Sequence, residues 1–160
     1  MNNSFTVKAI GCLNTPYTDP MQMPVQSLCS AGRGTVEVFP EFSCGLDRIE
    51  TFSHLMLFVL LNKAPAELLS EKPMVDGGES HGIFATRHFS RPNKIGFSVV
   101  RLLARKDNLL FIEGVDLLDK TPVLDIKPYI PAFDAVPDAS SGWLTAEHLT
   151  NIAAKSKKFS

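Results

Sequence analysis

The densest group of polar side chains in this sequence lies between Phe84 and Gly96, in the run FATRHFSRPNKIG. It sets Arg87, Arg91 and Lys94 around an Arg-Pro-Asn step. A guanidinium group presents a planar fork of N–H donors that matches a phosphate or a carboxylate, so this pattern is suited to binding an anion. A solvated basic loop without a ligand has the same composition, and the residues alone leave both interpretations open.

Charge is segregated along the chain. The 160 residues contain 16 Lys and Arg and 17 Asp and Glu, which gives a formal net charge of −1. The segment from His81 to Lys106, called the basic segment below, contains six Arg and Lys and no Asp or Glu, so the other 134 residues carry −7. Such segregation in a nearly neutral protein indicates a positive face that attracts phosphate groups.

Three aspartates form a second polar group, in a stretch from Gly114 to Tyr129 that is otherwise apolar and rich in proline. A carboxylate in apolar surroundings needs a hydrogen-bond partner or an opposite charge. Asp116, Asp119 and Asp125 therefore either form turns and ion pairs with the basic segment, or orient a ligand that carries a positive charge or hydroxyl groups. Their chemistry alone favours neither reading.

The other reactive residue types do not form a known motif. The three cysteines, Cys12, Cys29 and Cys44, are widely spaced and include no C-x-x-C, so we predict reduced thiols and neither a disulfide framework nor a zinc site. The four histidines lack metal-ligand spacing, and no metal site is predicted. The sequence also lacks G-x-G-x-x-G and P-loop motifs, so the usual signatures of a Rossmann sheet and a P-loop are missing. G-x-S-x-G occurs at Gly78–Gly82, in a stretch predicted below to be an exposed loop, and no serine-hydrolase elbow is predicted.

Mostly short strands must position these groups. Alternating or continuous apolar patterns bounded by turn residues predict six strands, at Phe5–Leu13, Gly34–Phe39, Phe52–Leu61, Ile95–Arg105, Asn108–Val115 and Thr121–Pro128, the last at a sheet edge. Helical spacing predicts a turn or two over Glu41–Ile49, a short helix over Ala64–Leu69 and a helix over Thr145–Lys155 that is capped by Thr145. Pro73–His81 is predicted to be an exposed loop.

These elements predict a mainly β protein, an antiparallel barrel or sandwich with a few short helices and no Rossmann sheet. We assign residues 1–144 to one β domain and residues 145–160 to a short C-terminal helix and tail. The longest apolar run, Leu55–Leu61, has seven residues, whereas a membrane span needs about 20. With no basic and apolar leader at the N-terminus, we predict a cytoplasmic protein without a membrane segment.

Several motifs resemble, in order and spacing over roughly residues 7–144, the TrmO family, whose members are also known as YaeB-like or VirR-like proteins. The motifs are Ile10–Tyr17, Pro24–Gln26, Phe52–Leu55, Gly82–Arg87, Arg91–Asn93, Ser98–Leu102 and Asp116–Tyr129. The resemblance implies a small antiparallel β-barrel that binds S-adenosyl-L-methionine without a Rossmann sheet. It also implies a homodimer that methylates N6 of threonylcarbamoyladenosine beside the anticodon of tRNA.

The resemblance also implies which residues hold the cofactor. They are Pro24, Val25, Gln26, Asn62, Lys63, Arg87, Phe97, Asp116, Leu117, Leu118 and Asp119. In this interpretation Phe97 and Leu117 cover the adenine ring, Asp116 or Asp119 accepts from a hydroxyl or ammonium group, and Gln26 or Lys63 holds the carboxylate. No catalytic base is assigned.

The tRNA anticodon stem-loop would meet the basic segment. The predicted phosphate contacts are Arg91, Lys94, Arg105 and Lys106, together with Lys127 beyond it. RNA sequence is read mostly in loops, so we expect an unstacked base to be presented to the site.

Four positions depart from the usual family pattern. Val25 stands where the family often has Arg, Asn62 where it has His, Lys94 where it has Pro, and Lys120 where it has Gly. These departures keep a second hypothesis open, in which the same barrel is a non-enzymatic regulatory protein that binds S-adenosylmethionine or RNA.

Overall fold

Six antiparallel strands form a closed barrel in the computed structural model, which describes residues 4–159. The barrel strands are β1 (Gly11–Asn14), β2 (Arg33–Val38), β3 (His54–Leu60), β6 (Ile95–Lys106), β7 (Leu109–Glu113) and β8 (Pro122–Pro128). Their order around the barrel is β1-β2-β7-β6-β3-β8. Two short strands, β4 (Ser70–Glu71) and β5 (His81–Gly82), pair separately. The predicted fold class is therefore confirmed. Residues 1–3 and 160, at the outer ends of the two predicted domains, lie outside the described part.

Side chains that alternate along the strands fill the barrel. In β3, Leu55, Leu57 and Val59 are fully buried, while the residues between them are partly exposed. This period of two is the reason that the segment forms a strand, since a helix would place these residues on different sides. The other strands add Leu13, Val36, Val38, Val100, Leu110, Ile112 and Val123, which are also buried.

Short helices fill the connections. There are 3₁₀ helices at Pro20–Gln22, Ser27–Cys29, Pro40–Leu46, Ile49–Thr51 and Ile83–Ala85, and α-helices at Pro131–Asp134 (α1) and Ala146–Lys157 (α2). The α2 helix confirms the predicted C-terminal helix, and the Thr145 hydroxyl caps it by accepting the His148 N–H at 3.2 Å. Over residues 4–159, no helix has the length and apolar character to cross a membrane.

Two predicted strands differ from the observed ones. Thr121–Pro128 is not an edge strand, because β8 pairs with both β1 and β3 and so closes the barrel. Its prolines stand at the first and last strand positions, where they remove no interior hydrogen bond. The predicted strand Phe5–Leu13 is wrong in its first two thirds, since β1 begins at Gly11 and Phe5 is 81% exposed.

Of the two helical segments predicted before β6, one is absent and one is present as 3₁₀ helix. Ala64–Leu69 is not helical, because Leu68 and Leu69 are 42% and 72% exposed and so find little apolar surface to pack against. The Leu68 N–H instead donates to the Ser90 carbonyl at 2.9 Å. The turns predicted over Glu41–Ile49 are found as 3₁₀ helices.

The close packing of β1 against β2 at Gly11 leads to a prediction about stability. A Cβ added there would lie 2.4 Å from the Glu37 carbonyl oxygen and 3.1 Å from the Val38 Cα, and these backbone atoms cannot rotate away. We expect Gly11→Ala to lower the free energy of unfolding by about 2–3 kcal/mol, measured by urea denaturation. Gly45→Ala is the matched control, because an added Cβ there meets nothing within 4 Å. Equal urea midpoints for the two variants would contradict the packing described here.

Candidate functional site

Polar side chains from three segments meet at one end of the barrel, where β1 and β7 end and β2 begins. The segments are the loop Pro24–Gln26, the chain around Arg87, and residues 116–119, which follow β7. We call this region the polar end. The sequence predicted a cofactor contact in each of the three segments, and the structure brings all three together.

Asp116 is the central acidic group of the polar end. Its Oδ1 accepts a hydrogen bond from the Ser98 hydroxyl at 2.6 Å, and its carboxylate also accepts the backbone N–H of Ser27. Burial raises the pKa of Asp116 from 3.8 to about 6, against the opposing effects of these donors and of the Arg87 charge. A carboxylate with a pKa this close to neutrality, next to polar loops, is typical of functional sites.

The second contact of the polar end joins Gln26 to Arg87. The Arg87 Nη1 donates to the Gln26 Oε1 at 2.9 Å, so two predicted cofactor residues that are 61 positions apart touch directly. Pro24 is buried, whereas Val25 and Gln26 are partly exposed and Arg87 is exposed. The Arg87 guanidinium thus lies at the surface, where it can meet an anionic group.

Lys63 and Asp119 form a third contact. The Lys63 Nζ donates to the Asp119 backbone carbonyl at 2.7 Å, which holds the turn after β3 against the 116–119 segment. The Asp119 Oδ1 accepts the Thr15 N–H at 3.0 Å, so part of this carboxylate already orders the chain after β1. Asn62, the neighbour of Lys63, is exposed.

Leu117 and Phe97, the residues predicted to cover an adenine ring, lie in different surroundings in the structure. Leu117 is 6% exposed and belongs to the barrel core, so its side chain is not available to a ligand. Phe97 is 45% exposed, with its ring 5.4 Å from the ring of Phe58, on the face of β6 opposite to Ser98. Leu118 is partly buried against the core. The two predicted ring contacts therefore lie on different surfaces.

Arg91, the first predicted tRNA contact, is engaged within its own loop. Its Nη1 donates to three backbone carbonyls, those of Ile83 (3.3 Å), Thr86 (2.8 Å) and His88 (3.4 Å). The guanidinium therefore organises the segment that carries Arg87. The positive charge of Arg91, which the sequence analysis predicted to bind an anion, is therefore used in part to hold this loop together.

The other predicted tRNA contacts differ in their engagement. The Lys94 Nζ donates to the Ala64 carbonyl at 2.9 Å, and the Arg105 Nη1 donates to the Leu46 carbonyl at 2.8 Å. Lys127 forms an ion pair with Asp125 at 2.8 Å. Lys106 is exposed, and within residues 4–159 its ammonium group has no ion-pair partner.

A group of carboxylates and imidazoles lies outside the polar end, in the predicted exposed loop Pro73–His81. Atoms of Asp76, Glu79 and His81 that could bind a metal ion lie within 4.8 Å of one another. His81 hydrogen-bonds Asp76, and the His148 Nε2 lies 3.8 Å from the Asp76 Oδ1. Asp76 and His81 are partly buried, and the contact between Asp76 and His148 connects this loop to α2. The absence of a metal site stays a prediction.

Sequence reasoning missed the serines that support the site. Ser98 could have been found, because strand alternation places it with buried Gly96 and Val100 on the inner face of β6. Ser156 follows Leu149 by seven positions and so lies on the apolar stripe of α2. Nothing in the sequence indicates that Ser27 would donate its backbone N–H to Asp116.

The family is decided by comparison with known proteins. The family model of the tRNA-methyltransferase O N-terminal domain matches residues 12–135. The chain belongs to this family. It is 49% identical over 138 residues to a probable S-adenosyl-L-methionine-binding protein of Pyrococcus abyssi, covering 86% of this chain and 74% of that protein. It is 32% identical over 161 residues to the tRNA (adenine(37)-N6)-methyltransferase of Escherichia coli, covering 94% and 68%.

Solved structures agree with this family assignment. A crystal structure of TrmO matches with a TM-score of 0.75 and 42% sequence identity, over 88% of this chain and 64% of that one. Some relatives are much longer than this chain. It is 40% identical to a probable S-adenosyl-L-methionine-binding protein of Archaeoglobus fulgidus and spans 43% of the length of that protein. The resemblance drawn from the sequence motifs is thereby confirmed.

The raised pKa of Asp116 predicts how stability depends on pH. Between pH 4 and pH 6 the native state holds a proton that the unfolded chain has released, so the free energy of unfolding should fall as pH rises. A shift from 3.8 to about 6 gives a fall of at most about 3 kcal/mol. Urea denaturation at several pH values should show this decline in the wild type and its loss in Asp116→Asn.

Asp125→Asn is the control for this measurement, because the Asp125 side chain is 48% exposed beside Lys127. It should keep the wild-type dependence on pH. An Asp116→Asn variant with the wild-type slope would show that another group carries the titration.

Proposed function

We propose that this chain is an S-adenosyl-L-methionine-dependent methyltransferase that modifies N6 of adenine in the anticodon loop of tRNA. The observation that carries the proposal is the meeting of Asp116, Gln26 and Arg87 at the polar end of a TrmO-family barrel. These residues come from the three segments in which the family resemblance places cofactor contacts. The name of the Escherichia coli relative supports the reaction class.

The residues of the polar end fit the charges of this cofactor. Its sulfonium and ammonium groups are positive, and Asp116 offers a partly buried carboxylate whose pKa burial has raised to about 6. A nearby positive charge favours the ionised form of Asp116 and so recovers part of its desolvation cost. The methionyl carboxylate would find the exposed Arg87 guanidinium, or Lys63 beside the 116–119 segment.

When bound, the cofactor would supply a methyl group for an in-line displacement, in which the N–C bond forms as the C–S bond breaks, the sulfonium becomes a neutral thioether and the N6 proton leaves to water. The protein must therefore align two reactants and exclude water, and it needs no covalent intermediate. The barrel supplies a rigid support, because Ser98 lies within β6 and hydrogen-bonds the Asp116 carboxylate. Paired with a cation, Asp116 acts as a counter-charge. We assign no general base.

The tRNA would approach along the surface of the basic segment. Lys106 is exposed at the β6–β7 hairpin and can meet a phosphate without giving up another partner. Arg91, Lys94 and Arg105 use part of their N–H donors inside the protein, so they would contact RNA with those that remain. Lys127 would have to exchange its ion pair with Asp125 for a phosphate.

We further propose that the methylated nucleoside is N6-threonylcarbamoyladenosine, which is converted to its N6-methyl derivative. This assignment rests on the family resemblance, as do the homodimer and the cytoplasmic location. The outward face of β3 and β6 carries the neighbouring rings of Phe58 and Phe97, which gives a second copy an apolar surface to cover.

Mass spectrometry of nucleosides tests the reaction. The chain is incubated with isotope-labelled S-adenosylmethionine and with tRNA that either contains or lacks the threonylcarbamoyl group at the adenosine beside the anticodon. We expect label on N6 of the modified adenosine only, and its loss in Asp116→Ala. Cofactor binding without methyl transfer to either tRNA would overturn the proposal and favour the non-enzymatic regulator.

The proposed tRNA contact of Lys106 gives a quantitative prediction. A lost phosphate contact releases one counterion fewer, so Lys106→Ala should lower the slope of log affinity against log salt by about 0.7–0.9. Filter binding with the anticodon stem-loop at several salt concentrations measures this slope. Lys155→Ala removes the same charge from the exposed surface of α2 and should leave the slope unchanged. Identical slopes in Lys106→Ala and wild type would exclude the contact.

A further inference from the structure

We propose that Ser156 in α2 is a positioning residue that holds the cofactor loop Pro24–Gln26 in its binding geometry. The inference deepens the proposed function and rests on it. Ser156 lies beyond residues 12–135, which the family model matches, so family membership does not assign it a role. Its part in the site follows from its contacts alone.

The Ser156 hydroxyl bridges α2 and the loop. Its Oγ accepts the backbone N–H groups of Val25 at 3.2 Å and of Gln26 at 3.0 Å, and it donates to the Ile152 carbonyl of its own helix at 3.0 Å. Ser156 is fully buried, with 0% exposure. Two consecutive N–H groups of the loop, which is itself partly exposed, therefore donate to one buried side-chain oxygen.

This bridge fixes both principal contacts of the polar end. Gln26 carries the amide oxygen that accepts from Arg87. The next residue, Ser27, donates its backbone N–H to the Asp116 carboxylate. A shift of the loop away from Ser156 would therefore disturb the Arg87 contact and the Asp116 contact together.

The segment that carries Ser156 is itself anchored on both sides of the site. The Trp143 Nε1 donates to the Ala85 carbonyl at 2.9 Å, two residues before Arg87, and its ring stacks on His81 at 4.3 Å. At the other end, the Tyr17 hydroxyl donates to the Phe159 carbonyl at 2.9 Å. The C-terminal segment thus connects the chain before Arg87 with the loop that binds Asp116.

A purely structural role for the hydroxyl can be separated from positioning by a matched residue on the same helix. Thr150 also donates to the carbonyl four residues earlier, that of Ala146, at 2.9 Å. Thr150 is exposed, and its hydroxyl bonds within α2 and not to the cofactor loop. Thr150→Ala therefore removes the same intrahelical bond without removing the bridge.

The experiment measures S-adenosylmethionine binding to the full chain by isothermal titration, for wild type, Ser156→Ala and Thr150→Ala. Ser156→Ala removes the acceptor of two partly buried N–H groups and so frees the loop, and we expect a loss of affinity of about tenfold or more. Thr150→Ala should stay within twofold of wild type. Amide hydrogen exchange at Val25 and Gln26 should accelerate in Ser156→Ala alone. Ser156→Cys, of similar size and with a weak acceptor, gives the same test if the alanine variant does not fold.

The outcomes separate the inference from the proposed function. Affinity within twofold of wild type in a folded Ser156→Ala chain, with unchanged exchange at Val25 and Gln26, overturns the positioning role. Equal losses in Ser156→Ala and Thr150→Ala overturn it as well, because they indicate a general effect on α2. Cofactor binding by the wild type without methyl transfer to tRNA counts against the proposed function only. No binding by the wild type overturns both.

Discussion

The polar end depends on keeping one carboxylate ionisable where water only partly reaches it. Burial disfavours the charged form of Asp116, and its pKa of about 6 shows that the surrounding donors offset this desolvation only in part. Those donors come from different parts of the fold, with Ser98 in β6 and Ser27 in the loop after Gln26. Barrel closure and loop position must both be correct before the site exists.

The barrel could be predicted well from the sequence because its strands are local patterns. The β6–β7 hairpin and the apolar β3 follow from alternation and turn residues, and both were found close to their predicted bounds. The partner of a strand is not a local property. Thr121–Pro128 looks like an edge strand on its own, and only the pairing of β8 with β1 and β3 shows that it closes the barrel.

The site could be predicted only in part, for the same reason. Resemblance to the family motifs selected the three segments that meet, but it could not show whether each side chain faces a ligand, the core or its own loop. Arg91 has the chemistry of a phosphate ligand, and its Nη1 is also engaged with three carbonyls of its own loop. Leu117 stands between two polar candidates, yet it points into the core. Whether a side chain faces solvent or interior depends on contacts that are far apart in sequence.

The departures from the family pattern at Lys94 and Lys120 concern backbone shape as well as charge. Lys120 has a φ of 61°, in the left-handed region that glycine adopts without cost, so lysine here carries strain that the usual glycine avoids. Lys94 has a φ of 50°, which a proline ring cannot adopt, so the usual second proline would not fit this loop. The Lys94 ammonium holds the loop through the Ala64 carbonyl instead. In this chain the loop before β6 is therefore held by a side-chain hydrogen bond of Lys94, where the usual family sequence has the fixed backbone angle of a proline. Such a long-range contact cannot be predicted from the loop sequence alone.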